Sequence, residues 1–190
     1  TLFPYTTLFR SAEVIEHVYS LPHITLSGKA KWGLGIVTGN NSKFCTSTQK
    51  EGYVPVFKGS DITPKGLKKP TSFIPNDFSI YQQVAPLELY QSDEKLIYKF
   101  ISSKLVFYSD TEQRFILNSA NFLVPSKSLN ITSQQLADLL SSDFMNWLFT
   151  SIFNTHKILR GDIEQLPIHQ GYFEGETSFD EKAFINFLGL

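Results

Sequence analysis

The chain has 190 residues, a formal net charge of −1, and a composition that is 42% hydrophobic and 14% aromatic. That is too apolar for a disordered segment and long enough for one domain with a real core. A single cysteine, Cys45, rules out an internal disulfide framework and a cysteine zinc quartet. It reads as a small buried apolar residue in a reducing cytoplasm, and no run of about 18 apolar residues suggests a membrane span.

The chain opens TLFPYTTLFRS (1–11), without a Met at position 1, an A-x-A-like cleavage site or a basic n-region. The stretch resembles a common sequencing-library adapter translated in frame, so residues 1–11 are set apart as non-native and true coding is expected to begin near Ala12 inside a longer gene. Residues 12–32 are then expected to be a partial linker from a missing upstream domain.

Charge is unevenly distributed beyond that point. Residues 28–130 hold 13 basic and 8 acidic side chains, net +5, whereas residues 131–190 hold 3 basic and 8 acidic, net −5. A basic middle followed by an acidic end fits a module that turns one face to a polyanion.

The basic middle is built of short apolar runs: "YVPVF" (53–57), "KLIYKFI" (95–101), "KLVFYS" (104–109), "RFIL" (114–117) and "NFLVP" (121–125). β-Branched and aromatic residues favour strands, and Ser102-Ser103, Asp110-Thr111 and Asn118-Ser119 supply turns. The reading is an α+β fold, with a mostly antiparallel curved sheet over about 35–125 and a packed helical part over about 132–190. Thr132 and Gln135 form a capping box. Leu136, Leu139, Leu140, Phe144, Trp147, Leu148 and Phe149 then recur at helical spacing, which predicts a helix over about 133–152, with Trp147 in the core and Ser141, Ser142 and Asp143 outward. "RGDIEQLPI" (160–168) reads as a short turn or helix ending in a Pro-bounded strand. "FDEKAFINFLGL" (179–190) reads as a final amphipathic helix with Phe179, Ala183, Phe184, Phe187 and Leu188 on one side.

No G-x-G-x-x-G, Walker A, H-E-x-x-H or G-x-S-x-G motif is present, and the four histidines share no metal-ligand spacing. The triplets Asp93–Lys95 and Asp180–Lys182 are chance-level likenesses to half a nuclease site. No catalytic residue and no cofactor or metal site is expected in this chain.

Binding signals are stronger. "GIVTGNNSKF" (35–44) sets Asn40 and Asn41 in a tight polar loop before Lys43, and an Asn side chain offers the paired donor and acceptor that fits an adenine edge. "FKGSDITPKGLKKP" (57–70) carries Lys58, Lys65, Lys68 and Lys69 against one acid, Asp61, with Ser60 alongside. A lysine-rich loop suits phosphate contacts. Asp61 is read first as a cap for the following turn and second as an acceptor for a cytosine amino group. Asn118 is read as a strand-end residue bonding backbone. Lys157 and Arg160 are candidates for phosphate, or for neutralising Asp162 and Glu164. Apart from Arg10, only Arg114 and Arg160 could make the common arginine–guanine contact.

The ordered set "GIVTGNNSKF", "VPVFKGSDI", "KLIYKFISSKLVFYSD", "RFILNSANFLVP", "LADLLSSDFMNWLF" and "KILRGDIEQLPI" resembles the TaqI-like C-terminal specificity domain, from about Gly33 to Ile168. The resemblance implies the target-recognition part of an adenine-N6 DNA methyltransferase of a restriction–modification system, reading duplex DNA. S-adenosylmethionine and an N-P-P-Y motif would lie in a linked upstream methyltransferase domain, and this sequence has no N-P-P-Y. Residues 33–168 would be the recognition domain and 169–190 an acidic tail. Two other readings stand beside it: a separate specificity or interaction subunit that docks a methyltransferase through the acidic helical part, and a sheet-based domain for a ligand other than DNA. The likeness does not say whether a parent protein also cleaves DNA.

Overall fold

The computed structural model describes residues 8–175 and 178–190. Most of the adapter-like segment therefore lies outside the described residues, and the rest of it enters the first helix.

The elements in chain order are α1 (Leu8–Ser20), β1 (Ala30–Leu34), α2 (Asn41–Phe44), β2 (Tyr53–Phe57), β3 (Ile62–Thr63), β4 (Gly66–Leu67), β5 (Ser72–Pro75), α3 (Leu87–Tyr90), β6 (Lys95–Lys99), β7 (Phe107–Asp110), β8 (Phe115–Ile116), β9 (Ala120–Pro125), α4 (Ser133–Leu140), α5 (Asp143–Phe153), α6 (Arg160–Ile163) and α7 (Glu181–Phe187). A four-stranded antiparallel sheet in the order β1-β9-β6-β7 sits at the centre. A three-stranded sheet, β5-β2-β8, pairs β2 antiparallel with β5 and parallel with β8, and β3 with β4 forms a hairpin. The fold is α+β with mostly antiparallel strands, as the sequence leads one to expect.

Side chains alternate across a strand, so the central sheet has two apolar faces. Leu96, Tyr98, Phe107 and Leu123 point into a core shared with the helices, where Leu136, Leu140, Phe144, Leu148 and Phe149 are buried. Ile97 and Phe122 point the other way, into a core completed by Val56, Ile74 and Ile116 of the three-stranded sheet.

The helix expected over 133–152 is two helices. The Ser142 hydroxyl accepts from Met145 N at 3.1 Å and caps α5, while Ser141 Oγ accepts from Phe107 N at 2.9 Å. The break falls here because the Ser142 hydroxyl takes over helix backbone groups, accepting from Met145 N and donating to Leu139 O, while Ser141 ties the end of α4 to β7. Ser142 is thus buried, and of the three residues expected outward only Asp143 is well exposed. α7 is capped by Asp180 and buries Phe184 and Leu188, but Phe187 is 50% exposed. Cys45 is half-buried.

Residues 12–32 pack into the fold. Val18 of α1 is buried, His17 Nε2 donates to Leu188 O at 2.6 Å, and the Tyr19 hydroxyl donates to Gln165 O at 2.9 Å. The acidic C-terminal segment is likewise part of the helical core through Tyr172, Phe173 and Phe184. No helix among the described residues is long and apolar enough to cross a membrane.

Candidate nucleic-acid interface

Three segments far apart in sequence run parallel and leave the fold at one end. β8 pairs in parallel with β2 through Val56↔Phe115 and Phe57↔Ile116, and Ile36 bridges Leu117 in parallel on the other side. Leu117 N donates to Phe57 O at 2.8 Å and Asn118 N to Ile36 O at 3.1 Å. The loop after Ile36, the loop after Phe57 and the turn Asn118-Ser119 therefore emerge side by side.

Two glycines make this approach possible. A Cβ on Gly35 would lie 2.2 Å from Leu117 O, and one on Gly59 would lie 2.5 Å from Ser119 O. Without those Cβ atoms the backbones close up, and Gly59 N donates to Ser119 Oγ at 2.9 Å. The chain after β6 joins the same end: Phe100 N donates to Ser119 O at 3.2 Å, Ile101 pairs with Lys157, and Ser102 N donates to His156 O at 2.9 Å. The result is one rim that gathers the 40–43 loop, the 58–61 turn, Asn118-Ser119, Ile101 and Lys157. The adjacency also shows at Cys45, whose thiol is pushed up by burial and partly restored by the charge of Lys58.

Within the first loop, Gly39 takes a left-handed φ of 84° and Asn40 is extended. Asn40 Oδ1 accepts from Lys43 N at 3.0 Å and caps α2. Asn41 Oδ1 accepts from Thr38 Oγ1 at 2.5 Å. Both carbonyl oxygens thus already hold a donor. Both residues are exposed, and each oxygen keeps a second lone pair beside an amide NH2 that makes no hydrogen bond among the described residues, so the donor and acceptor that an adenine edge asks for remain on each side chain. The Lys43 ammonium lies 5.1 Å over the Phe44 ring.

Asp61 is buried, and its Oδ2 accepts from Lys58 N at 2.8 Å. It caps the short turn Gly59–Asp61 and does not face solvent as an acceptor for cytosine would. The stretch after it is the β3–β4 hairpin, with Pro64 and Lys65 at its tip, and Lys68 N donates to Asp61 O at 2.8 Å to close its base. Ser60, Lys65, Lys68 and Lys69 are exposed.

Arg160 is engaged elsewhere: Nε donates to Glu164 Oε1 at 2.8 Å and the guanidinium lies 5.6 Å from the Trp32 ring. Arg114 pairs with Asp110 at 2.7 Å and Glu112 at 2.6 Å and lies over Phe57 and Tyr108. By contrast, among the described residues the ammonium groups of Lys43, Lys58, Lys65, Lys68, Lys69 and Lys157 have no carboxylate within 4.0 Å.

Sequence reasoning placed Asn118 as a backbone-bonding strand end. Its side chain is exposed and makes no hydrogen bond among the described residues, so it stands open on the rim. Ile101 was missed, because a lone isoleucine closing a strand-like run carries no local signal of exposure.

A hollow of about 520 Å³ beside Lys29, Lys31, Glu88 and Ser126 lies at the opposite end of β1 and β9 and shares nothing with the rim. Among the described residues no group of three His, Cys, Asp or Glu comes together as a metal cage.

Two comparisons bear on this arrangement. The family model described as TaqI-like C-terminal specificity domain matches residues 54–168, more than half of the chain. The Type II methyltransferase M.VspI of Vibrio sp. (strain 343) is 58% identical over 66 residues, which is 35% of this chain and 16% of that protein. The chain thus spans about a sixth of the length of the curated relative it matches.

Proposed function

Because the chain belongs to the TaqI-like C-terminal specificity domain family, we propose that it is the DNA target-recognition part of an adenine-N6 methyltransferase of a restriction–modification system. The observation that carries this reading is the shared rim. Three parallel backbone segments bring two lysine-bearing loops and the Asn118-Ser119 turn to one end, and the rim lysines have no carboxylate partner among the described residues.

Duplex DNA is the partner such a surface suits. Lysines positioned by a rigid sheet neutralise phosphates, and the polar tips between them face base edges. The contact set is Lys43, Lys58, Lys65, Lys68, Lys69 and Lys157 toward phosphates, with Asn40, Asn41, Ser60 and Asn118 toward bases. Asp61 shapes the 58–61 turn, and Arg160 serves the fold through Glu164 and Trp32. The recognition part extends over residues 33–168, with 169–190 supporting its helical layer.

Chemistry belongs to a linked upstream methyltransferase domain. S-adenosylmethionine supplies the methyl group there, and the target adenine must leave the stack to reach it. Both halves act in the cytoplasm, where the DNA is. Residues 12–190 alone bind DNA and transfer no methyl group.

The test is binding of a fluorescent duplex at two salt concentrations. Each neutralised phosphate adds about −0.9 to the slope of log K against log salt. Lys68→Ala reduces the slope by about 1 and weakens all sequences alike. A flat salt response would sink the reading in favour of a ligand other than DNA, and salt-independent capture of a methyltransferase would point to a docking subunit.

A further inference from the structure

We infer that Ile101 is a specificity-determining contact that packs on the C5-methyl group of a thymine in the bound duplex. The inference rests on the DNA-recognition reading above and deepens it. Ile101 is 64% exposed, the most exposed of the large apolar side chains among the described residues. The fold gives no reason for that exposure, since neither core includes it.

Its place is fixed from both sides. Phe100 N donates to Ser119 O at 3.2 Å, Ile158 N to Phe100 O at 2.8 Å and Ser102 N to His156 O at 2.9 Å. Ile101 therefore stands on the rim between the Asn118-Ser119 turn and Lys157 and is held there by backbone bonds.

The chemistry follows from what its neighbours can and cannot do. The arginines that most often read guanine are engaged: Arg114 and Arg160 are each paired with carboxylates. Amide side chains, hydroxyls and ammonium groups remain for the polar base edges, and Ile101 is the apolar group beside them. In the major groove the thymine methyl is the apolar feature a protein can read. An aliphatic side chain on a cationic rim is suited to that group, because the lysines bring the groove close enough for a methyl contact to exclude water.

The experiment starts by selecting preferred duplexes from a random pool with the full chain. Each thymine of the selected site is then replaced singly by deoxyuridine, which lacks only the methyl group. Wild-type protein is expected to lose about fourfold in affinity at one position, the scale of one buried methyl. Ile101→Ala should lose a similar factor on the selected site and nothing further on deoxyuridine at that position, whereas Ile101→Val retains part of the discrimination. Leu87→Ala, an exposed apolar residue at the other end of the sheet, should bind as wild type. Unchanged melting temperatures confirm that the variants fold.

A selected site without thymine, equal affinity for every deoxyuridine duplex, or wild-type binding by Ile101→Ala overturns the inference. The last of these is also the result expected if the residue is covered by a linked domain instead of DNA. Salt-dependent DNA binding together with any of these outcomes removes this inference and leaves the proposed function standing. Absence of duplex binding removes both.

Discussion

The two faces of the central sheet are closed by different means. On the helical side the core is mainly aliphatic and aromatic, with Phe144 set against Phe184 at 5.6 Å and Trp147 at 6.0 Å. On the other side the layer is thin. Its strands are as short as two residues, and a buried ion pair completes it. Lys95 Nζ bonds Asp110 Oδ2 with both side chains fully buried, and Arg114 closes the group from the edge. The charges divide likewise, +5 over residues 28–130 and −5 over residues 131–190. The difference teaches where variation can be tolerated. The helical layer is a packed support, and the thin layer spends its sequence on turns that reach the surface.

Two substitutions of large effect break the comparison at its extremes. Phe144→Ala empties the middle of the helical core and is expected to cost about 3–5 kcal/mol in urea unfolding. Asp110→Ala leaves the Lys95 ammonium buried without its counter-charge and is expected to cost about 3–5 kcal/mol. Burial pushes the Asp110 carboxyl up, but Lys95 and Arg114 outweigh it and hold it below the usual carboxylate range. A Lys95→Met, Asp110→Leu double variant should recover much of the loss, because the cost lies in the orphaned charge. If the single variant is as stable as wild type, the thin layer is not held by this pair.

Gly59→Ala is smaller and more local. Its Cβ must push the Ser119 backbone away, at a cost of about 1–3 kcal/mol. DNA affinity should fall more than stability, since the 58–61 turn and Asn118-Ser119 separate. Equal DNA binding by Gly59→Ala would show that the rim does not depend on this approach.

The smallest effect sharpens the helical side. His169 is buried, and its Nε2 donates to Val18 O at 2.9 Å, while Nδ1 has no hydrogen-bond partner among the described residues. Burial lowers its pKa, against the rise from the Val18 bond, with the His23 ring lowering it further. The folded protein therefore resists a proton that the unfolded chain accepts near pH 6.5. Stability is flat above that pH and declines as pH falls below it, toward the lower folded value. His169→Gln should abolish that part of the slope in melts across pH 5–7.

Much of the fold was legible. Apolar runs with turn residues marked β2, β6, β7 and β9, and the Thr132–Gln135 box marked the start of α4. β3, β4 and β8 are too short to show a period and exist because a neighbouring ladder holds them. The Ser141-Ser142 break was written in residues that cap as readily as they sit on a helix surface. α1 was unreadable because its anchors, Leu188 O and the His169 ring, lie more than 150 residues away.

The site divides in the same way. Lysine content named the loops, since an exposed cation needs no tertiary partner to be recognised. Their convergence was invisible, because it depends on Ile36, Phe57 and Leu117 meeting through backbone bonds. Asp61 does cap a turn, but the 58–61 turn that it ends and not the one that follows, whereas Asn118 and Ile101 gain their meaning only from neighbours distant in sequence.

The parallel exit of three segments has a consequence for change over time. The directions of the loops are set by main-chain ladders and two glycines, upstream of the loop side chains themselves. The exposed residues of these loops, such as Asn40 to Lys43 and Pro64, Lys65, Lys68 and Lys69, can be exchanged while the buried Thr38, Asp61 and Ile62 and the ladders below them stay in place. Such a scaffold is modular: a chimera carrying a relative's loop on this framework should fold as this chain does and answer to a different sequence of bases.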